Sequence, residues 1–215
     1  MKSAVLSLCF FVAFIGISNA QPKKDAENPY TMLGQKAILD GDFKTAITHL
    51  EKSVQADGNN ADVLYMLGYS YYNSGSYSKS ISTFSRVISL RPETASAYYY
   101  RGKGRNTLAA QMNSALSAVE RERFLQASIK DFTKCIELKP VNNIEYYQNR
   151  AIAYRDYAIL KEQKTAANYD KAVAESSYKS CIRDLQYILE TNPARKDIAD
   201  EMKKAKVYMA NLNNK

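Results

Sequence analysis

Histidine is almost missing from this sequence: His49 is the only one in 215 residues. It sits beside Leu50 with no recurrent acid or serine arrangement around it, which gives general acid–base or triad chemistry no footing. Cysteine is scarce as well, at three, and neither spacing nor histidine company suggests a metal site. No glycine-rich phosphate loop and no serine nucleophile turn occurs. These gaps point away from an enzyme; no catalytic residue, metal or cofactor is expected. A basic stripe interleaved with exposed aromatics is also lacking, so nucleic acid is not an expected partner.

Long apolar runs are equally rare. The stretch Val5 to Ile17 is almost wholly apolar, but it is too short and too early for a comfortable membrane span. Lys2 precedes it, and Ser18-Asn19-Ala20 places small residues where a signal peptidase reads. The expectation is a signal peptide over residues 1–20 cleaved before Gln21, then a flexible segment 21–27. Lipidation at Cys9 is disfavoured because Leu8 stands where a small residue is wanted. Export to a periplasm or the extracellular space follows, with no stable membrane span after cleavage. Loss of Lys2 takes the formal charge from +8 to +7, moderately basic and inclined toward anionic surfaces without naming one. Beyond the signal only Cys135 and Cys181 remain, both at apolar-stripe positions in different parts of the pattern. That favours buried thiols over a bridge, which would need Cα atoms within about 7 Å.

What the chain does have is periodicity. Gly34 and Gly41 return as Gly68 and Gly75, 34 residues on, each pair in the same apolar frame. From Tyr30 the first unit reads Y-x-x-L-G-x-x-A-x-x-x-G-x-F-x-x-A-x-x-x-L, and from Leu64 the second reads L-x-x-L-G-x-x-Y-x-x-x-G-x-Y-x-x-S-x-x-x-F. Helical spacing puts Tyr30, Leu33 and Ala37 on one face, and Ala46, Leu50 and Val54 on the face of a second helix. Asp40-Gly41-Asp42 supplies the turn between them. A third unit starts on time at Gly102, but Ser128, Phe132 and Cys135 match Ser80, Phe84 and Val87 at a displacement of 48 instead of 34. The extra fourteen residues, roughly Leu108 to Arg121, hold no proline or glycine. There Leu108, Met112, Ala115, Leu116 and Val119 keep helical spacing, so lengthened helices with a turn at Asn113-Ser114 are expected. A fourth unit follows the same extended plan, with Ala151 in place of the glycine and Tyr178, Cys181, Leu185 and Ile188 on its late second helix. Ile198, Met202, Ala205 and Met209 then form the stripe of a terminal helix.

A period of 34 residues, two helices per unit and this glycine-and-apolar frame resemble the tetratricopeptide repeat, across nearly all of residues 27–193. The resemblance implies an all-α, tetratricopeptide-like solenoid of helical hairpins with lengthened third and fourth hairpins and a C-terminal capping helix. As a single domain 28–212 it divides into units at about 27–60, 61–94, 95–142 and 144–193, with the cap at 194–212.

Members of that family commonly hold extended peptides or protein segments in a concave groove lined by the first helix of each unit. Carried onto this chain, the groove-facing residues are Thr31, Gln35 and Ile38; Tyr65, Tyr69 and Tyr72; Tyr99, Lys103 and Asn106; and Gln148, Ile152 and Arg155. Tyr65, Tyr69 and Tyr72 share a face distinct from the Leu64/Leu67/Tyr71 stripe. They are either a partner-contacting ladder or rings packed against neighbouring helices. Lys103 should lie nearer the groove and Arg101 nearer the packed face, with Arg105 close by; together they could attract a carboxylate. Some family members clamp a C-terminal dicarboxylate, but Thr31, Gln35 and Met66 replace the lysine and asparagines that such a clamp needs. The expected partner is a protein or peptide, with acidic character favoured. Two alternatives remain: homo-oligomerisation through an apolar stripe on the extensions, and capture of an anionic ligand in a closed basic pocket.

Overall fold

The computed structural model describes residues 28–111, 116–140, 143–164 and 168–214. The expected signal peptide, the segment 21–27, Met112, Ala115 and the Asn113-Ser114 turn lie outside them. Every regular element among the described residues is helical: α1 (Pro29–Leu39), α2 (Phe43–Ala56), α3 (Ala61–Asn73), α4 (Tyr77–Leu90), α5 (Ala95–Ala110), α6 (Ala118–Leu138), α7 (Ile144–Lys161), α8 (Lys171–Thr191) and α9 (Lys196–Asn214).

Local chemistry sets the helix ends. Asn28 accepts from the Tyr30 backbone N–H just before Pro29, whose missing N–H costs nothing in a first turn. Asn60 caps α3 by accepting from Asp62 and Val63. The turns after α1 and α3 need a left-handed residue, and Gly41 (φ 74°) and Gly75 (φ 78°) supply it. Each closes the equivalent bond, Asp42 N–H to Ala37 C=O at 2.9 Å in the first turn and Ser76 N–H to Tyr71 C=O at 2.8 Å in the second.

Consecutive helices pack as antiparallel neighbours, and α1, α3, α5 and α7 also touch one another in series. The first helices of the hairpins therefore form one layer and the second helices another. Between them lies a core with Leu50, Leu64, Phe84, Phe132, Tyr178 and Ile188 fully enclosed. Burial of each such side chain stabilises the fold by roughly 1.5–3 kcal/mol. The packing glycines admit those rings: at Gly68 an added Cβ would stand 3.1 Å from the Phe84 ring, and at Gly102 it would stand 3.1 Å from Phe132. The same two glycines share a second device. Ser80 Oγ donates to Gly68 C=O and Ser128 Oγ to Gly102 C=O, both at 2.9 Å.

Helices α5 to α8 run 16, 21, 18 and 21 residues, against 11 to 14 for α1 to α4. The extensions bury apolar residues against one another: Ala109, Leu125, Tyr157 and Leu160 form their own cluster. Helix does not continue through Leu116, however. Helix α5 stops at Ala110 and α6 starts at Ala118, because Ser117 and Glu120 form a reciprocal capping box. Arg121 reinforces the break by donating to the terminal carbonyls of Ala109 (2.7 Å) and Gln111 (2.9 Å). Val119, expected on the apolar stripe, is half exposed.

Two further expectations are corrected at the start of the array. Tyr30 and Leu33 are exposed, because no described hairpin precedes α1 to cover the positions that Leu64 and Leu67 bury one unit later. Thr31 is buried instead of facing a groove, its hydroxyl 2.7 Å from that of Ser53 on α2. At the other end Ile198, Ala205 and Leu212 of α9 seal the last hairpin. Cys135 and Cys181 are buried free thiols. Burial raises both to about 12, so they stay protonated at neutral pH.

Candidate binding groove

Three arginine-centred contacts fix how the hairpins sit, and through that the surface they present. Arg101 on α5 grips Asp131 of α6 with two nitrogens, at 2.7 and 3.1 Å, and reaches back to Ser85 of α4 at 3.1 Å. Arg150, at the same place in the next unit, grips Asp184 of α8 at 2.8 Å and Thr133 of α6 at 3.2 Å. Each guanidinium thus ties its own hairpin to the second helix of the one before. Arg105 adds a 2.6 Å contact to Asp131. Both aspartates are buried, so the pairing is obligatory for them. Arg101 and Arg105 are accordingly committed to the interior, while Lys103 between them is left on the surface layer.

That lysine stands among tyrosines. Its Nζ lies 5.2 Å from the Tyr72 ring centre, 5.3 Å from Tyr99 and 6.0 Å from Tyr100, within reach of the negative ring faces. Tyr100 is the hub of the cluster. It stacks on Phe84 at 5.7 Å and meets Tyr65, Tyr69, Tyr72 and Tyr99 edge-on at 5.2 to 6.3 Å. Of the two readings that sequence left open for Tyr65, Tyr69 and Tyr72, packing against neighbouring helices is present. One side of each ring packs on Tyr100, and the remainder is part-exposed. Burial above all raises the pKa of Tyr65, Tyr99 and Tyr100, with Glu145 adding to the shift at Tyr99, which reaches about 12. The hydroxyls are neutral donors at any physiological pH. Sequence inspection passed over Tyr100, because its repeat position belongs to neither the packing stripe nor the groove-facing set.

Beside this cluster, α1, α3 and α5 enclose an open apolar groove of about 520 Å³, lined by Gln35, Ile38, Leu39, Tyr65, Met66, Tyr69 and Tyr100. Leu39 is 87% exposed at its rim. None of the lining residues is charged.

Toward the C-terminal end the surface changes character. Asn106 donates to Asp156 at 3.0 Å, Arg155 pairs with Asp156 at 3.0 Å and with Glu201 of α9 at 2.8 Å, and Gln148 accepts from Arg195 at 3.3 Å. Those three groove candidates are thus bound to partners within the chain. Tyr99 too is engaged, packing on Phe132 and Tyr146 and accepting from Asn149 at 3.4 Å. Ile152 lines a second cleft, of about 330 Å³, together with Asp197, Asp200 and Lys204 from the cap. The predicted residues fall into two sets: an open tyrosine–lysine region over α3 and α5, and an internally paired region over α7 and α9. Among the described residues no group of His, Cys, Asp or Glu could hold a metal ion. No helix there is long and apolar enough to cross a membrane. His49 is part-buried against Tyr30, ring centres 6.3 Å apart, and its Nδ1 is buried with no hydrogen-bond partner among the described residues.

Residues 37–103 match the family model described as tetratricopeptide repeat. Among solved structures the chain is similar to the crystal structure of MamA protein, with TM-score 0.53 and 23% identity over 82% of this chain and 87% of that one. A MamA RS-1 ArsTM double mutant gives TM-score 0.51 and 16% identity, over 86% of this chain and 93% of the other. The first tetratricopeptide domain of human RPAP3 gives 0.50 and 19%, over 62% and 94%. At such identities the likeness speaks for the fold. No protein of curated function matches the sequence.

Proposed function

With the chain identified as a tetratricopeptide-repeat protein, we propose that it is a non-catalytic adaptor holding a protein or peptide segment against the face formed by α1, α3 and α5. The observation that carries this reading is the uncharged groove of about 520 Å³ running into a part-exposed tyrosine cluster. An apolar concavity rimmed by aromatic hydroxyls suits an extended segment: side chains enter the groove while the phenols serve its backbone. Of the helices that line it, α5 is tied to α6 by the buried Arg101–Asp131 pair and α3 to α4 by the Ser80–Gly68 hydrogen bond, which limits the ordering left to occur on binding. The setting we propose is the cell envelope, on the strength of the N-terminal Lys2, Val5–Ile17 and Ser18-Asn19-Ala20 pattern. The partner we favour carries acidic residues, in keeping with the net charge of +8, or +7 once residues 1–20 and their Lys2 are removed.

Photocrosslinkers at Ile38 and, as a control on the opposite layer, at Ser180 test this in native cells. A defined adduct from Ile38 that is missing from Ser180, and lost on Met66→Asp, supports the groove. Equal adducts at both positions would defeat the assignment.

A further inference from the structure

Resting on the groove reading above, we infer that the site is a two-part anchor: an apolar side chain enters the α1/α3 groove while a neighbouring carboxylate of the same segment binds Lys103. Tyr100 joins the two parts. It lines the groove and also lies 6.0 Å from the Lys103 ammonium. Lys103 forms no ion pair among the described residues. Its cationic neighbours on α5, Arg101 and Arg105, are held by Asp131. Glu145, on the first turn of α7, acts electrostatically on Tyr99 and Tyr100 but makes no ion pair with the lysine.

The consequence is a cation with no counter-ion among the described residues. Three ring faces hold the ammonium at the groove's edge and displace part of its water, yet they use none of its three N–H donors as full hydrogen bonds. A carboxylate brought there gains a charge-assisted hydrogen bond. A lysine or arginine brought there meets repulsion that the groove's uncharged lining does nothing to relieve. Anion selectivity thus belongs to one residue, and the apolar requirement to the groove beside it. Both must be met on one face of an extended partner, where side chains two positions apart point the same way, so the fitting segment carries an acidic residue two positions from a large apolar one.

The probes are a fluorescent octapeptide repeating Leu-Ser-Glu-Ser, its analogue with glutamine for glutamate and its analogue with lysine for glutamate, titrated against the full chain by anisotropy. The glutamate peptide should bind about three- to fivefold tighter than the glutamine peptide at low salt, and the gap should narrow as salt rises. Lys103→Met should erase the gap, Lys103→Arg keep it, and Lys103→Glu turn the preference to the lysine peptide; a packing role alone would not reverse that order. Equal binding of glutamate and glutamine peptides by the unaltered chain, abolished by Ile38→Asp, would overturn the anion anchor and leave the groove standing. Binding indifferent to Ile38→Asp, or absent for all three peptides, would overturn both.

Discussion

A methyl group at Gly34 would stand 2.6 Å from Leu50 Cγ, whereas one at Gly75 would meet nothing within 4 Å. The two glycines are needed for different reasons, and alanine should expose the difference. Gly34→Ala forces the interior of the first hairpin apart, at a cost of about 1–3 kcal/mol that alanine's better helix propensity, about 1 kcal/mol, offsets only in part. Gly75→Ala leaves packing untouched but holds an L-residue at φ 78°, costing about 1–2 kcal/mol. Urea denaturation should show both losses, and trimming Leu50→Val should couple favourably with Gly34→Ala alone. No coupling at Gly34 would mean that the close approach is not what the glycine provides. Such positions were legible because apolar and glycine spacing is a local pattern. The arginine contacts were not: Arg101 and Asp131 are 30 residues apart, and Arg150 and Asp184 are 34 apart. A charge at that separation reads as an ordinary surface charge until two hairpins are stacked. Tyr100 escaped notice for the same reason, since its partners come from α3 and α4.

Among the elements, the lengthened hairpins stand apart because a polar knot holds them. Glu122 on α6 accepts from Tyr157 at 3.0 Å and Lys161 at 3.1 Å on α7, and from Asn168 at 3.2 Å. Burial pushes its carboxyl pKa up, but the bonds from Asn168, Lys161 and Tyr157 outweigh that and hold it below the ordinary value. The folded pKa is depressed, so the stabilisation is present above the unfolded pKa of roughly 4.3 and fades as pH falls through the folded value. Glu122→Gln should therefore lower stability at pH 7 and narrow its deficit at pH 3, as urea midpoints of the two chains would record. A deficit unchanged by pH would rule out ionisation as the cause. The missing glycine and proline made the extensions legible, but Val119, expected on their apolar stripe, is half exposed, and the cluster is formed instead by Ala109, Leu125, Tyr157 and Leu160. Sequence spacing predicts a turn at Asn113-Ser114 with helix resuming through Leu116, whereas α6 begins only at Ala118, behind the Ser117–Glu120 cap.

Taken whole, the described helices contact one another within each hairpin and between successive hairpins, so each end depends on what covers it. Helix α9 covers one end, with Ile198, Ala205 and Leu212 closing over Cys181, Leu185 and Ile188. Truncation after Pro193 should leave that surface bare and yield a chain that still measures as helical by circular dichroism but self-associates on light scattering. A monodisperse truncated chain would show that the last hairpin needs no lid. Gripped at its two termini and drawn apart, a body linked only neighbour to neighbour would not fail as one block. It would give way in successive force peaks, weakest near α1, which no described hairpin precedes, and most resistant where Arg101 and Arg150 rivet adjoining layers.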